Sequence, residues 1–287
     1  MAKKNIQDNT SILSVLKRKS NSAGLRLIVK LEKTFKQWPE KSCLITGAPR
    51  SGTTAMENWL NDQKRVVAFH ETRVLRTTHR FLEEAKLHSK LKTDGEFLDL
   101  ARNIAYQFYS KRCIMSENEI FIDKEPLMSI SFPEKDYSSF LDNYRLMFPH
   151  GKLLFMVRHP LSTIWSMNER KWGYTLRNYT PRSFELDYYI ESWCDCAQLI
   201  LDYADEKNTY ICSFETLVNQ PGDESKRILD FLGISDGKPF QPKEVKTIGF
   251  TDEETAHILQ KTKNYMHSLN ERGISLTGKS ISPVASH

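Results

Sequence analysis

A chain of 287 residues with 39% hydrophobic and 27% charged side chains carries enough apolar material for one sizeable core, which excludes wholesale disorder, a fibre or a repeat array. Its net charge of +5 and pI near 8.8 come from basic residues scattered among 36 acidic ones, a balance that favours small anionic ligands over nucleic acid. No run approaches the ~18 apolar residues of a membrane span or forms a signal-peptide core, and five cysteines without framework spacing fit a soluble protein of the reducing cytoplasm.

Residues 1–40 read as a basic, partly helical N-terminal extension, in which 25–38 (LRLIVKLEKTFKQW) predict an amphipathic helix that packs on its own domain, peripheral contact with a membrane being the alternative. Residues 41–287 read as a single domain. Residues 43–46 (CLIT) predict a strand, 47–54 a tight loop, and the spacing of Met56, Trp59 and Leu60 a helix. A second strand is expected at 66–69, helices at 74–85 and 97–109, and further strands at 120–122, 153–157 and 210–212. Short apolar strands alternating with helices imply a three-layer α/β fold with a five-stranded parallel sheet, whose ligands gather beyond the carboxyl ends of the strands.

The loop after the first strand, GAPRSGTT at 47–54, follows the Walker A pattern in all but one position: Thr53 stands where nucleotide triphosphatases keep a lysine, which speaks against ATP or GTP hydrolysis. It still offers helix N-terminal amides, the hydroxyls of Ser51, Thr53 and Thr54, and the cation Arg50, with Pro49 and Gly52 in the same turn, a set suited to an anion. In residues 153–166 (LLFMVRHPLSTIWS) Arg158 ends an apolar strand and Ser166 follows eight positions later on a helix opened by Pro160. Arginine brings a permanent charge and forked donors for a phosphate dianion, and serine adds a hydroxyl.

These two segments resemble the PAPS-dependent sulfotransferases, which share the lysine-less, P-loop-like donor loop and the Arg and Ser pair that clamps the 3′-phosphate of PAPS (3′-phosphoadenosine 5′-phosphosulfate). Residues 69–73 (FHETR) and 122–126 (IDKEP) are similar to segments of the tyrosylprotein sulfotransferases. That resemblance implies the sulfotransferase fold, Glu71 as general base, and Arg50 and Lys124 as cationic stabilisers of the transferring group. It also implies donor contacts from Arg170 and Phe214, and no metal. A carboxylate suits removal of the acceptor's proton, and His70 is the competing base, because a histidine's ordinary pKa fits that task. Adjacent strand residues point to opposite faces, so only one of the two is expected to face the donor.

The acceptor is a hydroxyl, with peptide tyrosine implied by the closer resemblance and sugars, lipids or small phenols by the wider one. Arg65, Arg73, Arg76 and Arg80 are candidates for a basic entrance to an acidic peptide site. The resemblance spans 41–235, and residues 249–287 diverge from it. The membrane anchor of the animal tyrosine-sulfating enzymes and the cysteines flanking their two segments are missing here. The competing functions are a P-loop small-molecule kinase, which needs the lysine and Mg²⁺, and a non-catalytic nucleotide-binding protein, which has no use for Glu71 or Lys124.

Overall fold

Strands buried on both faces are satisfied by a parallel sheet covered with helices on either side, and the computed structural model has this arrangement. The structure describes residues 41–88, 94–112, 120–128, 132, 135–170, 186–242 and 249–277. The expected helix at 25–38, and Cys113, lie outside them.

Strands β1 (Ser42–Gly47), β2 (Val66–His70), β3 (Ile120–Pro126), β4 (Lys152–Val157) and β5 (Thr209–Ser213) form one sheet in the order β2-β3-β1-β4-β5, every neighbouring pair parallel. Each strand outruns its apolar segment, most of all β3, which continues through Asp123, Lys124 and Glu125. The described helices are α1 (Thr53–Asn61), α2 (Val74–His88), α3 (Asp94–Arg112), α4 (Tyr137–Met147), α5 (Pro160–Glu169), α6 (Leu186–Tyr203), α7 (Phe214–Asn219), α8 (Pro221–Leu232) and α9 (Asp252–Glu271).

Strand alternation divides the core in two. Leu44, Phe121, Leu153 and Phe155 face α2, α3, α4, α5, α6 and α9, whereas Cys43, Ile45, Ile122, Leu154 and Met156 face α1, α7 and α8. Each fully buried Leu, Ile or Phe contributes roughly 1.5–3 kcal/mol, so both layers weigh heavily in stability. The divergent segment after residue 248 belongs to the first layer. Helix α9 starts at a capping box of Thr251 and Glu254 and buries Ile258 and Leu269 in that core, and Ser213 at the end of β5 donates to the Ser275 carbonyl at 2.5 Å.

The chain leaves β1 toward β2 on one side, while neighbouring β4 leaves toward β5 on the other. Such a reversal opens a crevice at the carboxyl ends of the two strands, and the loops after β1 and β4 flank it. Gly47 sets its floor: with φ at 138°, a Cβ there would lie 2.2 Å from the Met156 carbonyl oxygen. Gly47→Ala is therefore expected to cost at least ~1–3 kcal/mol, seen as a lower urea midpoint at unchanged m. A wild-type midpoint would contradict the close approach of the two strands.

Candidate active site

Between Gly47 and α1 the chain turns through a Ser51 N–H to Ala48 carbonyl bond of 3.2 Å, with Arg50 and Gly52 both in the left-handed region. Gly52 caps α1 without a side-chain oxygen, so the first amides of the helix keep their positive character toward the loop. Among the described residues, the fully buried Ser51 hydroxyl has no hydrogen-bond partner. A Cβ on Gly52 would fall 2.4 Å from Cδ2 of Phe214, so glycine is needed for this ring to lie against the loop.

Arg158, just beyond β4, stacks its guanidinium on Phe214 at 4.7 Å from the ring centroid, and its buried Nε has no partner among the described residues. Arg50 Nε donates to Ser166 Oγ at 2.9 Å. Burial first, then the charges of Arg170 and Arg158, hold the Arg50 guanidinium below the usual arginine range. Three cations from separate elements converge on one loop, and an anion relieves that repulsion.

On the α1 side of the sheet stands a second cluster. Lys124, 1% exposed, places Nζ 2.8 Å from Glu71 Oε1, 2.9 Å from Thr54 Oγ1 and 3.7 Å from Glu57 Oε2. Glu57, buried on α1, accepts from His70 Nδ1 at 2.6 Å. Glu71 follows β2 with φ at 45° and Arg73 has φ at 62°. These left-handed residues break the strand's alternation, so His70 and Glu71 enter the same cluster instead of opposite faces, which corrects the expectation from sequence.

The other face of β3 anchors the loop that carries Glu71. Asp123 accepts from Thr72 Oγ1 at 2.5 Å, Tyr109 O–H at 2.6 Å and the Lys124 N–H at 2.8 Å, while burial pushes its carboxyl up to about 6. Glu125 pairs with Arg76 at 3.2 Å and is pushed up to about 7 by burial, against the pull of Arg76.

Residues 43–237 match the model of the sulfotransferase family. The chain belongs to that family. Protein-tyrosine sulfotransferase A of Caenorhabditis elegans is 28% identical over 203 residues, covering 66% of this chain and 49% of that protein. Protein-tyrosine sulfotransferase 2 of Gallus gallus is 28% identical over 206 residues, 67% of this chain and 50% of that protein, so the chain spans about half the length of these curated relatives. A sulfotransferase from Alicyclobacillus acidocaldarius shares the fold, with a TM-score of 0.55, 17% identity, and coverage of 83% of this chain and 96% of that one. The five-stranded parallel sheet is thus the sulfotransferase fold. No described helix is long and apolar enough to cross a membrane, and among the described residues no group of three His, Cys, Asp or Glu is placed to hold a metal ion.

In this sulfotransferase-family chain the expected donor residues fall on both sides of the crevice. Pro49, Arg50, Ser51, Gly52, Thr53 and Thr54 form the loop and first turn of α1, with Arg158, Ser166, Arg170 and Phe214 opposite. Of the candidate basic entrance, Arg73 and Arg80 are exposed, but Arg76 is tied to Glu125. Arg65 precedes β2, at the end of the sheet opposite the site, because parallel strands put all their carboxyl ends together.

Glu57, Asp123, Tyr109 and Glu215 were not singled out from sequence. Glu57 left one signal, a carboxylate between Met56 and Trp59 on an otherwise apolar stripe. Glu215 lies behind the Arg158 strand end, accepting from the His159 N–H at 3.1 Å, and burial pushes it up to about 7. A carboxyl raised above its ordinary range near 4.5 contributes its full stability below that range and loses it as pH rises through the folded value. Glu215→Gln is therefore expected to gain on wild type between pH 5 and 8, by up to ~1.4 kcal/mol per pH unit, in paired urea titrations. A difference constant across that window would contradict the burial of a neutral acid.

Proposed function

We propose that the chain is a PAPS-dependent sulfotransferase that moves a sulfuryl group onto an acceptor hydroxyl, with Glu71 as general base and peptide tyrosine as the acceptor. The observation that carries this reading is the placement of an anion cradle and a carboxylate–lysine pair on two sides of one loop, joined through Thr54. The Ser51 hydroxyl and the Arg158 Nε, both without a partner among the described residues, and the glycine-floored turn fit a phosphosulfate and a 3′-phosphate. When bound, PAPS supplies an activated sulfuryl group and a phosphate leaving group.

The chain's own residues then divide the work. Arg158 and Ser166 hold the 3′-phosphate, Phe214 offers its ring to the adenine, and Arg50, Arg170, Ser51 and the amides of α1 neutralise the phosphosulfate. Lys124, fixed by Glu71 and Thr54, carries its charge toward the group in transfer, and Thr53 and Thr54 add hydroxyls. Glu71 removes the acceptor proton. Peptide tyrosine is supported by the names of the curated relatives, and exposed Arg73 and Arg80 suit an acidic peptide. The cytoplasmic location belongs to the same reading, supported by free thiols at Cys43, Cys194, Cys196 and Cys212 among the described residues.

The test is calorimetric titration with adenosine 3′,5′-bisphosphate without metal, beside ATP with Mg²⁺, followed by labelled PAPS with aspartate-flanked tyrosine peptides, sugars and simple phenols. Metal-free binding and label transfer to a peptide are expected, with Glu71→Gln lowering kcat by ~10²–10⁴. Binding of ATP alone would return the chain to the kinase reading. Binding without transfer to any hydroxyl would support a nucleotide-binding protein.

A further inference from the structure

The mechanism above leaves the buried carboxylate of Glu57 unused. Glu57 is 6% exposed, sits one turn into α1, and points its Oε2 at His70 Nδ1, 2.6 Å away. A carboxylate at that distance accepts a proton that Nδ1 must carry, which leaves Nε2 as the basic nitrogen of the neutral ring. That Nε2 lies 3.9 Å from Glu71 Oε1, within one side-chain adjustment of a hydrogen bond, and the His70 side chain is 57% exposed. Lys124 contacts Glu71 and lies near Glu57, so Glu57, His70, Glu71 and Lys124 close into one loop of contacts.

We infer that Glu57 and His70 form a proton-exit dyad for Glu71: His70 takes the proton that Glu71 removes from the acceptor, and Glu57 holds His70 in the tautomer able to receive it. This rests on the reading of Glu71 as base. The steps balance. The acceptor oxygen bonds to sulfur, the bond from sulfur to the bridging phosphate oxygen breaks, and its electron pair leaves on the phosphate. The acceptor's proton passes to a Glu71 carboxylate oxygen, then to His70 Nε2. The imidazolium so formed is paired with Glu57 and releases the proton from its exposed Nε2 to water. Without the dyad, Glu71 sits protonated beside Lys124 and its ion pair is lost until the proton escapes by another route.

Glu57 acts through His70 and is therefore a positioning residue, whereas His70 touches the base itself. Two measurements test the pair. Ring ¹⁵N spectra of the whole protein are expected to show His70 protonated at Nδ1 with a free Nε2, a state lost in Glu57→Gln. A ring protonated at Nε2 alone overturns the proposal without any assay of turnover.

The second measurement is turnover of PAPS with a simple phenol or a tyrosine peptide. His70→Ala is expected to lower kcat by ~10–100-fold with the acceptor KM and the affinity for adenosine 3′,5′-bisphosphate unchanged, and added imidazole to restore it. Glu57→Gln should lower kcat in the same direction, and bisphosphate binding certifies its fold. Glu71→Gln should lose more, without rescue by imidazole.

If His70→Ala turns over like wild type while Glu71→Gln is inactive, the dyad is overturned and Glu71 stands as base. If Glu71→Gln stays active while His70→Ala is dead, the base is His70, and both readings fall together. A folded His70→Ala that imidazole does not restore also overturns the relay.

Discussion

Replacing Arg158 by alanine is expected to weaken binding of adenosine 3′,5′-bisphosphate at least ~100-fold. Hydrogen bonds to a charged phosphate are worth ~1.5–3 kcal/mol each, the guanidinium fork makes two, and every 1.4 kcal/mol is tenfold. The fold should survive the change. The backbone at this position is held by Trp193 Nε1 and Thr163 Oγ1, which donate to the Arg158 carbonyl at 3.0 and 3.3 Å, and neither bond involves the side chain that is removed. What goes is the charge, the fork and the stacking on Phe214. Arg158→Lys should recover only part of the affinity, because an ammonium restores the charge without the planar pair of donors. Titration calorimetry of the three proteins at one ionic strength reads the effect. Equal affinity in wild type and Arg158→Ala would remove the 3′-phosphate clamp from the mechanism.

Lys124→Met is expected to damage stability and turnover together. In the folded protein the ammonium is 1% exposed and has two carboxylates within reach, so its removal leaves Glu57 and Glu71 facing each other with no cation between them. Breaking a buried pair by deleting one partner costs ~3–5 kcal/mol, most of it from the charge left behind. A preorganised cation lost from a reacting site lowers kcat by ~10²–10³.

The two effects separate in a double variant. Lys124→Met with Glu57→Gln should regain part of the stability, as the carboxylates no longer repel, and none of the turnover. Urea midpoints and kcat for the four corners of that cycle give the coupling directly. A Lys124→Met protein as stable as wild type would mean that the ion pair contributes nothing net.

All five strands were legible in the sequence because a parallel strand buried on both faces leaves a short unbroken apolar run, and each such run ends at the edge where ligands bind. The glycine-bounded turn after β1 was legible because its glycines, hydroxyls and missing lysine are contiguous. The partners that tune the site were not. Tyr109 meets Asp123, and Arg76 meets Glu125, only after α2 and α3 dock on one face of β3. Glu57 meets Lys124 only because β3 lies beside β1 in a register that turns Lys124 toward α1. Such contacts depend on a two-dimensional neighbourhood that a linear pattern does not contain. His70 and Glu71 misled for a local reason, since strand alternation predicts faces only while the backbone stays extended, and it changes hand at Glu71.

That left-handed turn means thermostability selection would treat its two strained residues differently. A glutamate and an arginine held at positive φ cost ~1 kcal/mol or more each, a cost that glycine or asparagine would largely avoid at the same positions. A laboratory lineage selected on melting temperature alone would therefore drift toward glycine or asparagine at 73 but hold glutamate at 71, where the buried Lys124 ammonium left without its carboxylate costs more than the relieved turn gains. Screens for robust variants of this scaffold can therefore open position 73 while the ion pair itself guards position 71.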